Sequence, residues 1–159
     1  MRVEDTIFQQ NLRYAILNQI AAEQSISKRV IEAMKAVPRQ YFVEDWLQSK
    51  SYEDRPLPIA SGQTISQITT VAIQTNLLDV HQGDKVLEIG AGSGYQSAIL
   101  AQLGCEVYSI ERIDKLRQKA EENFAKFESP LNIKVIHGDG FDGLPQFAPY
   151  DGIIVTCGA

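Results

Sequence analysis

The sequence predicts an α/β domain, a parallel sheet with helices on both faces behind an N-terminal helical extension. Three observations carry this. After Gly83, short apolar runs ("KVLEI", "EVYSIE", "IKVIHGD", "DGIIVT") alternate with helical patterns ("YQSAILAQL", "LRQKAEENFAKF"). Such alternation implies right-handed βαβ crossovers. The stretch "EIGAGSGYQ" sets glycines at 90, 92 and 94 directly behind the first run, where a strand should turn tightly into a helix. Finally, 159 residues at 44% hydrophobic composition suffice for one sizeable core.

Each element follows from local pattern. Apolar residues recur at helical spacing from Val3 to Ile20 (Val3, Ile7, Tyr14, Leu17, Ile20), which reads as an amphipathic helix. A second helix should start at Ser27 as N-cap, carry Val30, Ile31, Met34 and Val37, and stop at Pro38, because the residue before proline disfavours helical geometry. The aromatic stretch "RQYFVEDWL" should dock on the core. The prolines and glycine of "SYEDRPLPIASGQTIS" forbid a regular element, so residues 51–66 read as an ordered surface connector. A helix resumes over 68–78. Residues 1–82 thus form the helices and connector, and residues 83–159 the βαβ core, of one domain. Four strands are visible where a doubly wound sheet has about six, so the sheet is expected to be truncated after the fourth. An open edge there offers a route to self-association.

Composition narrows the function. A net charge of −5 with dispersed Lys and Arg argues against nucleic acid, which demands clustered cations. The charged N-terminus holds no signal peptide core or membrane span, so the cytoplasm is the expected compartment. Cys105 and Cys157 each sit beside a predicted strand without CxxC spacing and read as small buried hydrophobes. His81 and His137 lack partners at ligand spacing, and no metal is assigned.

The glycine loop narrows it further. A dinucleotide fingerprint starting at Gly90 would need glycine at position 95, where Tyr95 stands, and no Gly-Lys-Ser/Thr follows for a P-loop. A ligandless turn remains one reading. Two acids count against it: Glu111 closes the second strand about 20 residues on, where a carboxylate can hold both ribose hydroxyls. Asp139 closes the third strand in the same way, although each acid alone reads as a turn or cap residue. A ribose acid, a loop too tight for phosphates and a third-strand acid describe a nucleoside with a small tail, which S-adenosylmethionine fits.

At this point the chain resembles the class I methyltransferases, with their Rossmann-like fold, and more narrowly the protein-L-isoaspartate O-methyltransferase family. The resemblance rests on "VPRQYFV" (37–43), "YEDRPLPI" (52–59), "GQTISQ" (62–67), "VLEIGAGSGYQSAILA" (86–101), "SIER" (109–112), "HGDG" (137–140) and "APYDGIIVT" (148–156). It implies that Glu88, Gly90, Gly92 and Gly94 line the methionine side of the cofactor, that Glu111 holds the ribose, and that Asp139 and Gly140 face the adenine. Ser66 and Thr64 match the family's active-site segment. Members usually carry proline two residues after that serine, where this chain has Ile68.

The implied reaction moves a methyl group from S-adenosylmethionine to the free carboxylate of isoaspartyl residues in damaged proteins, leaving S-adenosylhomocysteine. A carboxylate is already ionised at neutral pH, so the transfer needs alignment and exclusion of water but no general base. Ser66 is therefore an orienting donor, or else the N-cap of the helix that follows. Two alternatives stand beside this reading: a methyltransferase of another acceptor, and an S-adenosylmethionine-binding fragment without activity.

Overall fold

The computed structural model describes residues 4–157; Val3 lies outside them. Helix α1 (Ile7–Gln24) starts at Thr6, whose hydroxyl accepts the Gln9 N–H at 3.3 Å, and stops at Ser25 in the left-handed region. Its buried face is shorter than the periodicity predicts. Leu17 and Ile20 enter the core, while Ile7 is 77% and Tyr14 43% exposed. The first two turns overhang the body, and the inward place there belongs to Arg13, paired with Asp5 at 2.7 Å. Helix α2 (Lys28–Lys35) is capped by Ser27 as predicted, the hydroxyl accepting the Val30 N–H, and it buries Val30, Ile31, Ala33 and Met34. Two 3-10 turns follow, Arg39–Phe42 and Asp45–Lys50. Phe42, Val43 and Leu47 dock, but Trp46 stays 71% exposed.

The connector is more regular than its prolines suggest. Strands β1 (Leu57–Pro58) and β2 (Thr64–Ile65) form a two-residue antiparallel ladder pairing Leu57 with Ile65 and Pro58 with Thr64. Ser61 and Gly62, both at positive φ, turn its tip. Pro58 is tolerated because a two-stranded ladder consists only of edges. Helix α3 (Ile68–Leu78) then begins where predicted.

The core alternates β3 (Lys85–Ile89), α4 (Tyr95–Gln102), β4 (Glu106–Glu111), α5 (Asp114–Phe124), β5 (Ile133–His137) and β6 (Gly152–Val155). The four long strands pair in parallel in the order β5-β4-β3-β6. Strand order therefore reverses at β3, and the switch point lies between β3 and β6. Ligands of such sheets bind beyond the carboxyl ends of the strands at that point.

Alternate side chains separate two cores. Val86, Val107 and Ile154 face the larger one, which all five α-helices fill with residues such as Leu17, Met34, Ile68, Ile99 and Leu116. Leu87 and Ile110 face a smaller one, closed by Leu144, Phe147 and Tyr150 from the stretch with the 3-10 turns Gly140–Asp142 and Pro145–Phe147. Cover of this second face is incomplete along β6, where Ile153 and Val155, paired with Leu87 and Ile89, are 58% and 48% exposed. Cys105 is buried as expected, whereas Cys157 is exposed, because it lies just past the end of β6. Among the described residues no helix is long and apolar enough to cross a membrane.

Candidate functional site

The carboxyl end of β3 runs into the glycine loop, and the loop's shape is set by its own backbone. Gly90, Gly92 and Gly94 all have positive φ, at 91°, 55° and 90°, where only glycine sits without strain. The N–H groups of Gly90 and Ala91 donate to the Ile110 carbonyl at 2.9 and 3.2 Å, and that of Gly94 to the Ala91 carbonyl at 2.8 Å. The Gly92 N–H donates to Glu111 Oε2 at 2.8 Å. These donors are thus spent inside the protein, whereas a pyrophosphate loop turns its N–H groups outward. From above, Asn123 of α5 donates to the Ser93 carbonyl at 3.0 Å, and a Cβ on Gly94 would come within 2.6 Å of the Phe124 ring.

Glu88 lies under this loop, fully buried. Hydroxyls from three elements converge on it: Ser97 of α4, Ser109 of β4 at 2.7 Å, and Thr156 beyond β6 at 3.2 Å. Thr156 also reaches the Gly90 carbonyl at 2.8 Å, so it links the ends of β3 and β6. Burial pushes the Glu88 carboxyl up to about 7; the three hydroxyls pull the other way, and the charge of Glu111 adds to the rise.

Opposite the loop stands the segment 64–69. Thr64, Ile65, Ser66, Glu88, Gly90, Gly92, Gln96 and Thr156 line one cleft at the switch point. Ser66 is half-buried there and is not the cap of α3. That place falls to Gln67, which makes no side-chain cap bond. Asp54 supplies the cap from the connector instead, accepting from the Thr69 N–H at 2.9 Å, the Thr69 hydroxyl at 2.6 Å and the Gln67 amide at 3.2 Å. Burial would raise the Asp54 carboxyl, but these bonds and the nearby Arg39 outweigh it and hold the group below the usual range. Ile68 takes the first position of α3, which is also where proline fits a helix best. The segment's conformation therefore does not depend on a proline ring.

The cleft gathers Thr64, Ser66, Glu88, Gly90 and Gly92; the remaining predicted residues lie along the same sheet edge. Glu111 is 6% exposed and turned to backbone, its second oxygen accepting the Ile113 N–H at 2.9 Å. Each of its oxygens keeps a further lone pair. Asp139 is exposed beyond β5 and caps the following 3-10 turn through the Phe141 N–H. Gly140 packs its Cα on Ile89, where a side chain would collide. Sequence reasoning missed Thr156, Ser97, Ser109 and Gln96. Their signal is a small or polar residue inside an apolar run, as in "YQSAILA" and "EVYSIE". Among the described residues no cluster of three or more His, Cys, Asp and Glu could hold a metal ion.

Comparison with known proteins agrees with this architecture. The family model for protein-L-isoaspartate(D-aspartate) O-methyltransferase matches residues 11–159. A protein-L-isoaspartate O-methyltransferase of Halorhodospira halophila is 48% identical over 148 residues, covering 92% of this chain and 67% of the relative. A solved protein-L-isoaspartate O-methyltransferase superposes with a TM-score of 0.82 at 29% identity, over 92% of this chain and 48% of that one. A Plasmodium falciparum chain assigned to the same enzyme and crystallised with S-adenosyl-L-homocysteine shares the fold, with a TM-score of 0.76 at 23% identity over 92% of this chain and 74% of that one. With its strand order, glycine loop and facing Thr64–Ser66 segment, the chain belongs to the protein-L-isoaspartate O-methyltransferase family.

Proposed function

We propose that this protein transfers the methyl group of S-adenosylmethionine to the free α-carboxylate of L-isoaspartyl residues, giving S-adenosylhomocysteine and a methyl ester that closes to a succinimide as the backbone amide nitrogen displaces methanol. The observation that carries this is the shared cleft, which sets the Ser66 segment against the glycine loop at the switch point of the sheet. The residues fit the cofactor. Gln96 Oε1 is buried in the cleft wall without a partner, while its Nε2 donates to Thr75 at 2.9 Å. Thr75 gives its own proton to the Val71 carbonyl, so the amide orientation is fixed and a residue lining the cleft keeps a bare acceptor. With Glu88 beneath, such a wall suits a cationic ligand group.

S-adenosylmethionine, when bound, supplies an electrophilic methyl on a sulfonium. Glu88 and Gln96 would receive its ammonium end, Glu111 its ribose, and Asp139 with Gly140 its adenine, while Gly90, Gly92 and Gly94 let the backbone approach closely. Ser66 would donate to one oxygen of the acceptor carboxylate, with Thr64 beside it, and so aim the other oxygen at the methyl. Alignment of this kind provides most of what such a displacement needs. Isoaspartyl-bearing proteins of the cytoplasm are the partners this reading assigns. The exposed Ile153 and Val155 on the edge strand β6 support self-association along that edge, which sedimentation at rising concentration would detect.

The decisive test offers S-adenosylmethionine with an isoaspartyl peptide and its aspartyl counterpart. Methyl release from the first alone is expected. Equal transfer to both would point to a broader acceptor, and cofactor binding without transfer to either would reduce the chain to a binding module.

A further inference from the structure

The motif "VPRQYFV" buries an arginine that the reaction does not use. Arg39 has no exposed surface, and among the described residues no carboxylate lies within ion-pairing distance of it. Its guanidinium donates only to backbone carbonyls: Ser51 at 2.6 Å, Arg55 at 3.2 Å and Ser66 at 2.9 Å. Its Nε is buried without a partner. Burying a cation on neutral acceptors is costly, and a purely structural site could be filled more cheaply by an apolar side chain. The three carbonyls belong to both ends of the connector, Ser51 and Arg55 at its start and Ser66 at its close, and the last is that of the residue proposed to face the acceptor. The same guanidinium stands 5.9 Å from the centre of the Tyr95 ring, within cation–π range. Tyr95 directly follows Gly94 and lines the cleft. One planar group thus touches both walls.

We infer that Arg39 is a positioning residue that sets the Ser66 segment in register with the glycine loop, so that the acceptor oxygen meets the methyl in line. The inference rests on the proposed methyl transfer for its kinetic consequence but not for its structural one. A rigid planar fork reaches three carbonyls from two nitrogens held at a fixed separation, whereas an ammonium must offer its three donors from one atom. Bonds to Ser51 and Arg55 fix the guanidinium, and Nη2, which also serves Arg55, fixes Ser66. Asp54 holds the next residues through Thr69 and Gln67. Between them Ser66, Gln67 and Thr69 are tied by one side chain from the first 3-10 turn and one from the connector.

Two variants test this, Arg39→Lys, which keeps the charge, and Arg39→Met, which keeps the bulk and removes the buried cation. In each, amides of residues 64–67 should exchange at least about tenfold faster while those of β3 and β4 change less than about twofold, the signature of local opening. Turnover of an isoaspartyl peptide should fall roughly tenfold or more with S-adenosylhomocysteine affinity within about twofold. In a Ser66→Ala background the same substitutions should change turnover by less than about twofold, because residues acting through one another are not additive. Unchanged exchange at 64–67 in either folded variant overturns the inference. So does an equal rise throughout the sheet, or failure of both variants to fold, since either would make Arg39 a core residue only. A parent chain that transfers no methyl while the exchange effect appears would refute the proposed activity and leave the positioning role standing.

Discussion

The two walls of the cleft are built by different means. The glycine loop is held by backbone geometry, with three residues at positive φ and N–H groups that close onto Ile110, Ala91 and Glu111. The Ser66 segment is held by side chains that arrive from 15 to 27 positions away, Asp54 on Thr69 and Arg39 on Ser66. A wall made of backbone must be written as a compact motif, whereas one made of tertiary contacts leaves only scattered residues. Changes to the first should therefore damage fold and cofactor affinity together, and changes to the second should damage turnover with affinity intact.

The largest expected effect strikes the backbone wall. Gly94→Ala forces a side chain into the left-handed region and against Phe124, 2.6 Å away, costing about 3 kcal/mol from strain and overpacking combined. Thermal unfolding should drop by about 6–12 °C; a shift under about 2 °C would mean that the loop yields freely.

Glu88 comes next. Its carboxyl is raised from 4.5 to about 7 in the fold, so the folded state holds the proton more tightly. Its contribution is full below about pH 4.5 and is lost as pH rises through about 7. Glu88→Gln does not titrate, so its stability relative to the parent should improve by about 2 kcal/mol between pH 5 and pH 8. Parallel melting curves across that window would refute the buried acid.

Glu111→Ala removes a charged acceptor from the position proposed for the ribose and frees the Gly92 N–H. Calorimetry should find S-adenosylmethionine binding weakened by about 1–3 kcal/mol. An unchanged dissociation constant would leave Glu111 only its present backbone partners. The smallest effect falls on the other wall: Ser66→Ala should slow methyl transfer about tenfold, near 1.4 kcal/mol, without altering cofactor affinity. Loss of affinity there would erase the distinction between the walls.

What could be read from the sequence follows the same division. The runs 85–89 and 106–111, the helix over 68–78 and the Ser27 cap were legible because each is fixed by neighbours in the chain. So were the glycine loop and the acids at the strand ends. The β1–β2 ladder was hidden because two residue pairs leave no periodicity. Periodicity overstated the inner face of α1, since nothing local told that Ile7 lies beyond the body it would pack against. Trp46 reads as a core residue from its type alone, yet it stays exposed while Phe42 and Leu47 from the same stretch are buried. Arg39, Asp54 and Thr156 were out of reach, because their roles exist only once distant segments meet.

Ile68 shows what this means for the Ser66 segment. A proline at that position would narrow the chain's choices before folding as well as after. Isoleucine leaves φ open in the unfolded chain; it becomes fixed when its side chain, 1% exposed, is enclosed by the larger core. The order of the Ser66 segment is thus conditional on the body behind it. It should be among the last parts of the molecule to take shape and among the first to loosen, long before the sheet itself gives way.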